Sequence, residues 1–173
     1  IHLRGHVLWR GVRQRVVLHD GSAGIQVVFR DPDILPRNQE EIDVLGFLTR
    51  RNGRWLVTDA EYRTSLSDGV LPNVRDLELA DAELAEYDSE PVRLECHVLA
   101  VEGNRDRPTL VGELDGRVFR LRLDFPEAEA SVRQYREGAI VRVIGVLNEL
   151  RSDENDGATF EILVAREDAI EVV

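Results

Sequence analysis

The stretch Val16–Phe29, VVLHDGSAGIQVVF, sets two short apolar runs around a glycine-bounded turn. It reads either as a phosphate cradle or as a β-hairpin. A phosphate cradle requires the turn to open a helix. Here the turn is followed by IQVVF, which is β-branched and strand-like. Asp20-Gly21 also suits a hairpin, because glycine takes positive φ at no steric cost. The stretch is therefore read as strand, turn, strand.

The pattern returns later in the chain. LVGELDGRVFRLRLDF (Leu110–Phe125) is again strand, Asp-Gly turn, strand. LRGHVL (Leu3–Leu8) matches LECHVL (Leu94–Leu99), and EIDVLGFL (Glu41–Leu48) matches AIVRVIGVL (Ala139–Leu147). The offsets are 91, 95 and 99 residues, growing because the second copy has longer connections. Each copy yields five strand candidates. They are 1–11, 14–20, 24–30, 42–51 and 54–65, then 91–103, 109–115, 117–125, 140–151 and 158–172.

In the second copy, Pro126 opens and Gly138 closes a segment where Ala128, Val132 and Tyr135 share a face, which predicts a helix over 126–137. The same slot in the first copy, DPDILPRNQE, holds two prolines and predicts no helix. Between the copies, Leu77, Ala80, Leu84 and Tyr87 fall at helical spacing, which predicts an acidic helix over 74–88. Five strands with a helix slot between the third and fourth is the order of the OB-fold. The chain is thus expected to be mostly β: a first OB-like barrel (1–66), a linker with a helix (67–90) and a second OB-like barrel (91–173).

Two such units joined by an acidic linker resemble the tandem OB-like regions in the extracytoplasmic part of bacterial sensor histidine kinases. The motifs behind the resemblance are HLRGHVL, VVLHDGSAGIQVVF, EIDVLGF and RWLVTDAEYR, then PVRLECHVLAV, GRVFRLRL, GAIVRVIGVL and TFEILVAREDAIEV. The usual Gly-Asp before the fourth strand is replaced by NQEEID and REGAIV. The resemblance implies a non-enzymatic ligand-sensing or signal-coupling module of a two-component membrane receptor. It also implies a periplasmic or extracytoplasmic location, with the membrane reached only through segments outside this chain. The alternative is an oligonucleotide- or oligosaccharide-binding OB module of a soluble protein.

Composition bounds these readings. No window approaches 18 consecutive apolar residues, so no transmembrane helix is expected. The chain opens without Met, already in strand pattern, and reads as a piece of something longer. A single Cys96 excludes an internal disulfide and any multi-cysteine metal site. All 22 basic residues are Arg. Charge runs +2 over 1–66 (10 Arg, 8 acids), −7 over 67–90 (1 Arg, 8 acids) and −6 over 91–173 (11 Arg, 17 acids), giving −11. On that balance nucleic acid is not expected as a partner, because polyanion affinity rests on phosphate neutralisation. The expected partner is an unidentified small ligand or protein, and homodimerisation is left open.

No His-x-Glu, His-Glu-x-x-His or Gly-x-Ser-x-Gly pattern occurs, so no catalytic residue, metal site or cofactor is expected. His6 and His97 occupy equivalent positions and fall opposite the apolar set, which predicts that both point outward. RSDENDG (Arg151–Gly157) is oxygen-rich but lacks EF-hand spacing and reads as a solvated hairpin tip. Candidate ligand residues are six. Trp9 and Trp55 flank the one–two and four–five loops, expected at one barrel mouth, where they could stack on a sugar or base. Trp9 also fits a core plug, by parity with Leu3 and Val7. Arg93, Arg120, Arg122 and Arg142 share the outward parity of the second barrel and could hold a small anion or acidic peptide. The competing reading pairs them with Glu95 and Glu113 as a salt-bridged solvent face.

Overall fold

The structure is a computed structural model, described over residues 1–66, 69–79, 83–103, 107–150 and 159–173. It divides into two compact units, Ile1–Asn73 and Val74–Val173. The first contains β1 (His2–Arg10), β2 (Arg15–His19), β3 (Gly24–Phe29), β4 (Glu41–Arg51) and β5 (Arg54–Thr64). They close into a barrel in the order β1-β2-β3-β5-β4, with β4 returning to β1. Every pairing is antiparallel except β3 with β5. That is the five-stranded OB-like topology.

Alternation fills the interior. Val16 and Leu18 on β2, Val27 and Phe29 on β3, Ile42 and Val44 on β4, and Val57 on β5 point inward and form one buried cluster. The turn that opened the reading binds itself. The Asp20 carboxylate accepts from Ser22 N (2.8 Å), Ser22 Oγ (2.7 Å) and Ala23 N (3.0 Å), bonds that hold it below the usual carboxylate range. Gly21 N donates to His19 Nδ1 at 3.0 Å. The amides a phosphate would need are taken by the turn's own side chains, so the segment is a hairpin.

The second unit contains β6 (Arg75–Asp76), β7 (Pro91–Glu102), β8 (Thr109–Leu114), β9 (Arg117–Leu123), α1 (Ala128–Val132), β10 (Ile140–Glu149), β11 (Phe160–Val164) and β12 (Ile170–Val172). The ring β7-β8-β9-β11-β10 closes through β10–β7, again with one parallel pair, β9–β11. Asp115 and Gly116 take φ of 52° and 77°, the left-handed pair of a type I′ hairpin turn. The fourth strands match as well. A Cβ at Gly46 would stand 2.6 Å from Val57 Cγ1, and one at Gly145 2.5 Å from Ile162 Cγ2.

Three expectations change. The helix over 74–88 is absent as such. Arg75–Asp76 adds a short parallel strand to β7, Leu77 N donates to Arg93 O at 2.8 Å, and helical geometry is confined to a 3-10 turn at Leu84–Glu86. The reason is period: Leu77 and Leu79 are both buried in the second core, and residues two apart share a face only when extended. Ala80 lies outside the described residues. The helix predicted over 126–137 forms only as α1, with Tyr135 buried just beyond it. The last strand is two pieces, β11 and β12, separated by a 3-10 turn at Glu167–Ala169. The first copy has no helix between Phe29 and Glu41, as its prolines require.

Cys96 faces the second core at 2 % exposure, and burial pushes its thiol up to about 12. Its folded value therefore lies above that of an unfolded cysteine, near ~8.5. The stabilisation is complete below ~8.5 and drains away as pH rises toward about 12. Thiol reagents are expected to label Cys96 only as fast as the second barrel unfolds, and rapid native labelling would contradict its place in the core. Gly145→Ala, which drives a methyl into Ile162 and Leu163 O, is expected to lower unfolding stability by about 1–3 kcal/mol in urea titrations.

Candidate functional site

Acid-free sequence marks where the first barrel is basic. No carboxylate occurs from Ile1 to His19 or from Val44 to Thr58. Those stretches hold two turns. The β1–β2 turn carries Arg10, Arg13 and Arg15; the β4–β5 turn carries Arg50, Arg51 and Arg54. At the β4–β5 tip, Asn52 and Gly53 take φ of 49° and 75°, so a type I′ turn brings Arg51 opposite Arg54 and Arg50 opposite Trp55. Trp55 is 54 % exposed, and the Arg50 guanidinium lies 5.8 Å from its ring centre. Leu48 beside it is also exposed. Among the described residues no ion pair forms at Arg50 or Arg51.

The two turns do not share a mouth, which corrects the sequence expectation. Phe29 N bonds Gln14 O, placing the β1–β2 turn at the C-terminal end of β3. Leu56 pairs with Gln26, so the β4–β5 tip projects past the other end of β3. Six residues of strand, roughly 20 Å, separate them. Arg13 and Gln14 hold the β1–β2 turn in left-handed conformation, φ 59° and 65°. Trp9 is buried, its ring against Gly11, where a Cβ would stand 1.9 Å from Cη2. A register shift between Val7 and Trp9 breaks the parity on which its core orientation rested. Of the two tryptophans, the structure presents Trp55 to solvent.

The arginines of the second barrel sit among acids. Arg93 donates to Asp76 at 3.1 Å. Arg122 reaches Asp124 at 2.8 Å and Glu161 at 3.3 Å, and Glu161 also accepts from Asn148. Arg142 bridges Glu95 on β7 and Glu171 on β12. Arg120 pairs in register with Val111 and Glu161 and is half-buried. Glu113 accepts from Gly116 N. Charges on this face are largely compensated.

A different arginine pair closes the first barrel. Asp43, with its side chain buried, accepts from Arg4 Nε at 2.9 Å, with Arg63 at 3.4 Å and His2 Nε2 at 3.1 Å. Arg4 holds the Asp43 carboxyl below its usual range. His97 is exposed, but His6 is buried: it faces outward as parity predicts and is covered by the segment at Gly69, where a Cβ would stand 2.7 Å from His6 Cε1. Among the described residues no three His, Cys, Asp or Glu converge as a metal site, and Arg151–Gly157 lies outside them.

No protein-family model matches the chain, and no curated protein does. Solved structures share its barrel architecture. The Ifi202 HINa domain in complex with 20-bp dsDNA is 10% identical, covering 100% of this chain and 95% of its own, at a TM-score of 0.43. A murine DNA-binding protein bound to dsDNA is 11% identical over 100% and 97%, at 0.38. The Stn1–Ten1 complex of S. pombe is 17% identical over 48% of this chain, which spans 57% of that one, at 0.36. Two of these are complexes with duplex DNA. The expectation that nucleic acid is not a partner is corrected on the charge distribution, which leaves an acid-free basic tip on the first barrel. Its physical error was summing charge by thirds of the chain, which averages acid-free turns with the acids around Asp31 and Asp59.

Because the Asp43 carboxyl is depressed, the stability it lends is present above the unfolded aspartate value, near ~3.9, and is lost as pH falls through its folded value. Asp43→Asn is expected to destabilise the first barrel at neutral pH and to flatten the acid limb of its stability profile. An unchanged acid limb in pH-dependent urea melts would remove Asp43 as the clasp between β1 and β4.

Proposed function

We propose that this chain is a nucleic-acid-binding OB module that engages a single strand through the β4–β5 tip of its first barrel. One observation carries the reading: an exposed Trp55 beside Arg50, on an acid-free tip whose Arg50 and Arg51 make no ion pair among the described residues. Trp55 supplies a π-face on which any base can stack. Arg50 and Arg51 supply phosphate contacts, and a stacked aromatic with neighbouring cations is the usual means of holding a single strand. An oligosaccharide would use the tryptophan but would gain nothing from the surplus positive charge. The module binds and does not catalyse. The receptor-module role implied by the resemblance draws on no residue beyond the barrels themselves.

Anisotropy titration of a labelled oligothymidine is the test. Trp55→Ala is expected to weaken binding by about 1–3 kcal/mol, the worth of one stacked base. Arg50→Ala with Arg51→Ala is expected to flatten the log–log salt dependence by roughly 0.7 for each phosphate no longer neutralised. A wild-type chain that binds neither single strand nor duplex at low salt, or a Trp55→Ala variant with full affinity, would overturn the assignment.

A further inference from the structure

The β4–β5 pairing slips by one residue at its root. Leu45 lies opposite Glu61 and Phe47 opposite Thr58, so β5 holds an extra residue there. The β3 register slips at the same place, from Val27–Val57 to Phe29–Ala60. Asp59 sits in this bulge at φ 52°, a left-handed backbone that a residue with a side chain holds only under constraint. Its carboxylate accepts from Arg30 Nε and Nη2 at 2.8 and 3.0 Å, while Arg30 Nη1 donates to Glu61 Oε1. Beside this cluster opens a cavity of about 330 Å³, walled by Leu45 and Phe47, 63 % and 65 % exposed. The Ile1 ammonium, which donates to Gly46 O, lines it too. Two cations thus face two carboxylates, and the cavity carries no net charge.

An uncharged cavity with an aromatic wall, a carboxylate and a guanidinium suits a flat, neutral ligand with donors and acceptors on one edge. A nucleobase meets that description, and the cavity is of ligand size. The carboxylates choose among the bases. Asp59 uses both oxygens on Arg30, whereas Glu61 is held only through Oε1. Guanine alone carries two adjacent donors, N1–H and the 2-amino group, to match a carboxylate bidentately. Its O6 accepts from a guanidinium, and these bonds use three of the five N–H groups of Arg30. We propose that this cavity is a guanine subsite of the single-strand site. The base stacks on Phe47, its Watson–Crick edge meets Glu61 and Arg30, and Asp59 positions the guanidinium. The subsite rests on the single-strand reading, which supplies the strand that delivers the base. Arg51 lies four residues beyond Phe47 on the same face, roughly 13 Å away, so phosphates stay near the basic tip while the base enters the root. Thr49 and Thr58, their hydroxyls bonded at 2.8 Å, bring no charge in between.

Two arms test it with the full 173-residue chain. In anisotropy titrations, an oligothymidine with one central guanosine is expected to bind about tenfold more tightly than its inosine counterpart, which lacks only the 2-amino group. Glu61→Gln and Phe47→Ala are each expected to abolish that preference, Glu61→Gln without weakening the binding of plain oligothymidine. Trp55→Ala is expected to weaken both oligonucleotides alike. In NMR titrations, guanosine monophosphate is expected to shift the Phe47 and Glu61 amides saturably, and inosine monophosphate to leave them in place. Thermal melts establish that each variant remains folded. A chain that binds oligothymidine without telling guanosine from inosine, or a Glu61→Gln variant that keeps the preference, would overturn the subsite and leave the strand reading standing. A chain that binds no oligonucleotide but takes guanosine monophosphate at Phe47 and Glu61 would overturn the strand reading and support the pocket. Absence of both responses would overturn both.

Discussion

The first barrel depends on β4 approaching β5 with no side chain between them at Gly46. A Cβ there would stand 2.6 Å from Val57 Cγ1 and 3.0 Å from Thr58 O. The register shifts at the same place, between Leu45 and Phe47, so the hairpin bends. One half of β4, Glu41–Leu45, closes the barrel against β1. The other half carries the tip past the start of β3. The second barrel repeats the device at Gly145, against Ile162 and Leu163 O. A close approach that only glycine permits thus serves both closure and projection.

Electrostatics then separates two barrels of one topology. On the second, β7, β10 and β12 bring Arg142 between two glutamates, and β9 and β11 bring Arg122 between Asp124 and Glu161. On the first, acids gather at the roots of β4 and β5, where Asp43 and Asp59 each hold arginine, and leave the tip without carboxylate. Net charge cannot distinguish these cases, because field strength near a surface follows local arrangement within a Debye length of about 8–10 Å.

The hairpins, the barrel repeat and the glycine-bearing fourth strands are legible because each is a local rule: a turn residue with positive φ, or alternation of period two. The linker misleads because Leu77, Ala80, Leu84 and Tyr87 satisfy a helical spacing while Leu79, equally buried, falls outside the pattern. Edge pairing with β7 and two core sites two residues apart outweigh the weak helix propensity of a short segment. Parity orients His6 correctly but not its exposure, since the Gly69 segment that covers it is remote in sequence. Trp55 is a candidate already from its place beside a loop. The basic tip around it is written plainly as RRNGRW and disappears in a charge sum over the first third of the chain.

Stability does not account for that tip. Exposed ion pairs contribute about 0–1 kcal/mol, so partners for Arg50 and Arg51 would add little and their absence costs little. Three arginines within five residues repel one another, and the type I′ turn fixes two of them directly opposite across the strands. A fold selected only for its own stability has no reason to place them there, whereas a surface that receives negative charge does. Strand geometry spreads the arginines' charge over both faces of the hairpin. Successive residues point to opposite faces, so Arg50 turns toward Trp55 and the barrel side while Arg51 turns outward. Two adjacent arginines in the sequence thereby offer positive charge on both sides of the tip, where a strand stacked on Trp55 passes.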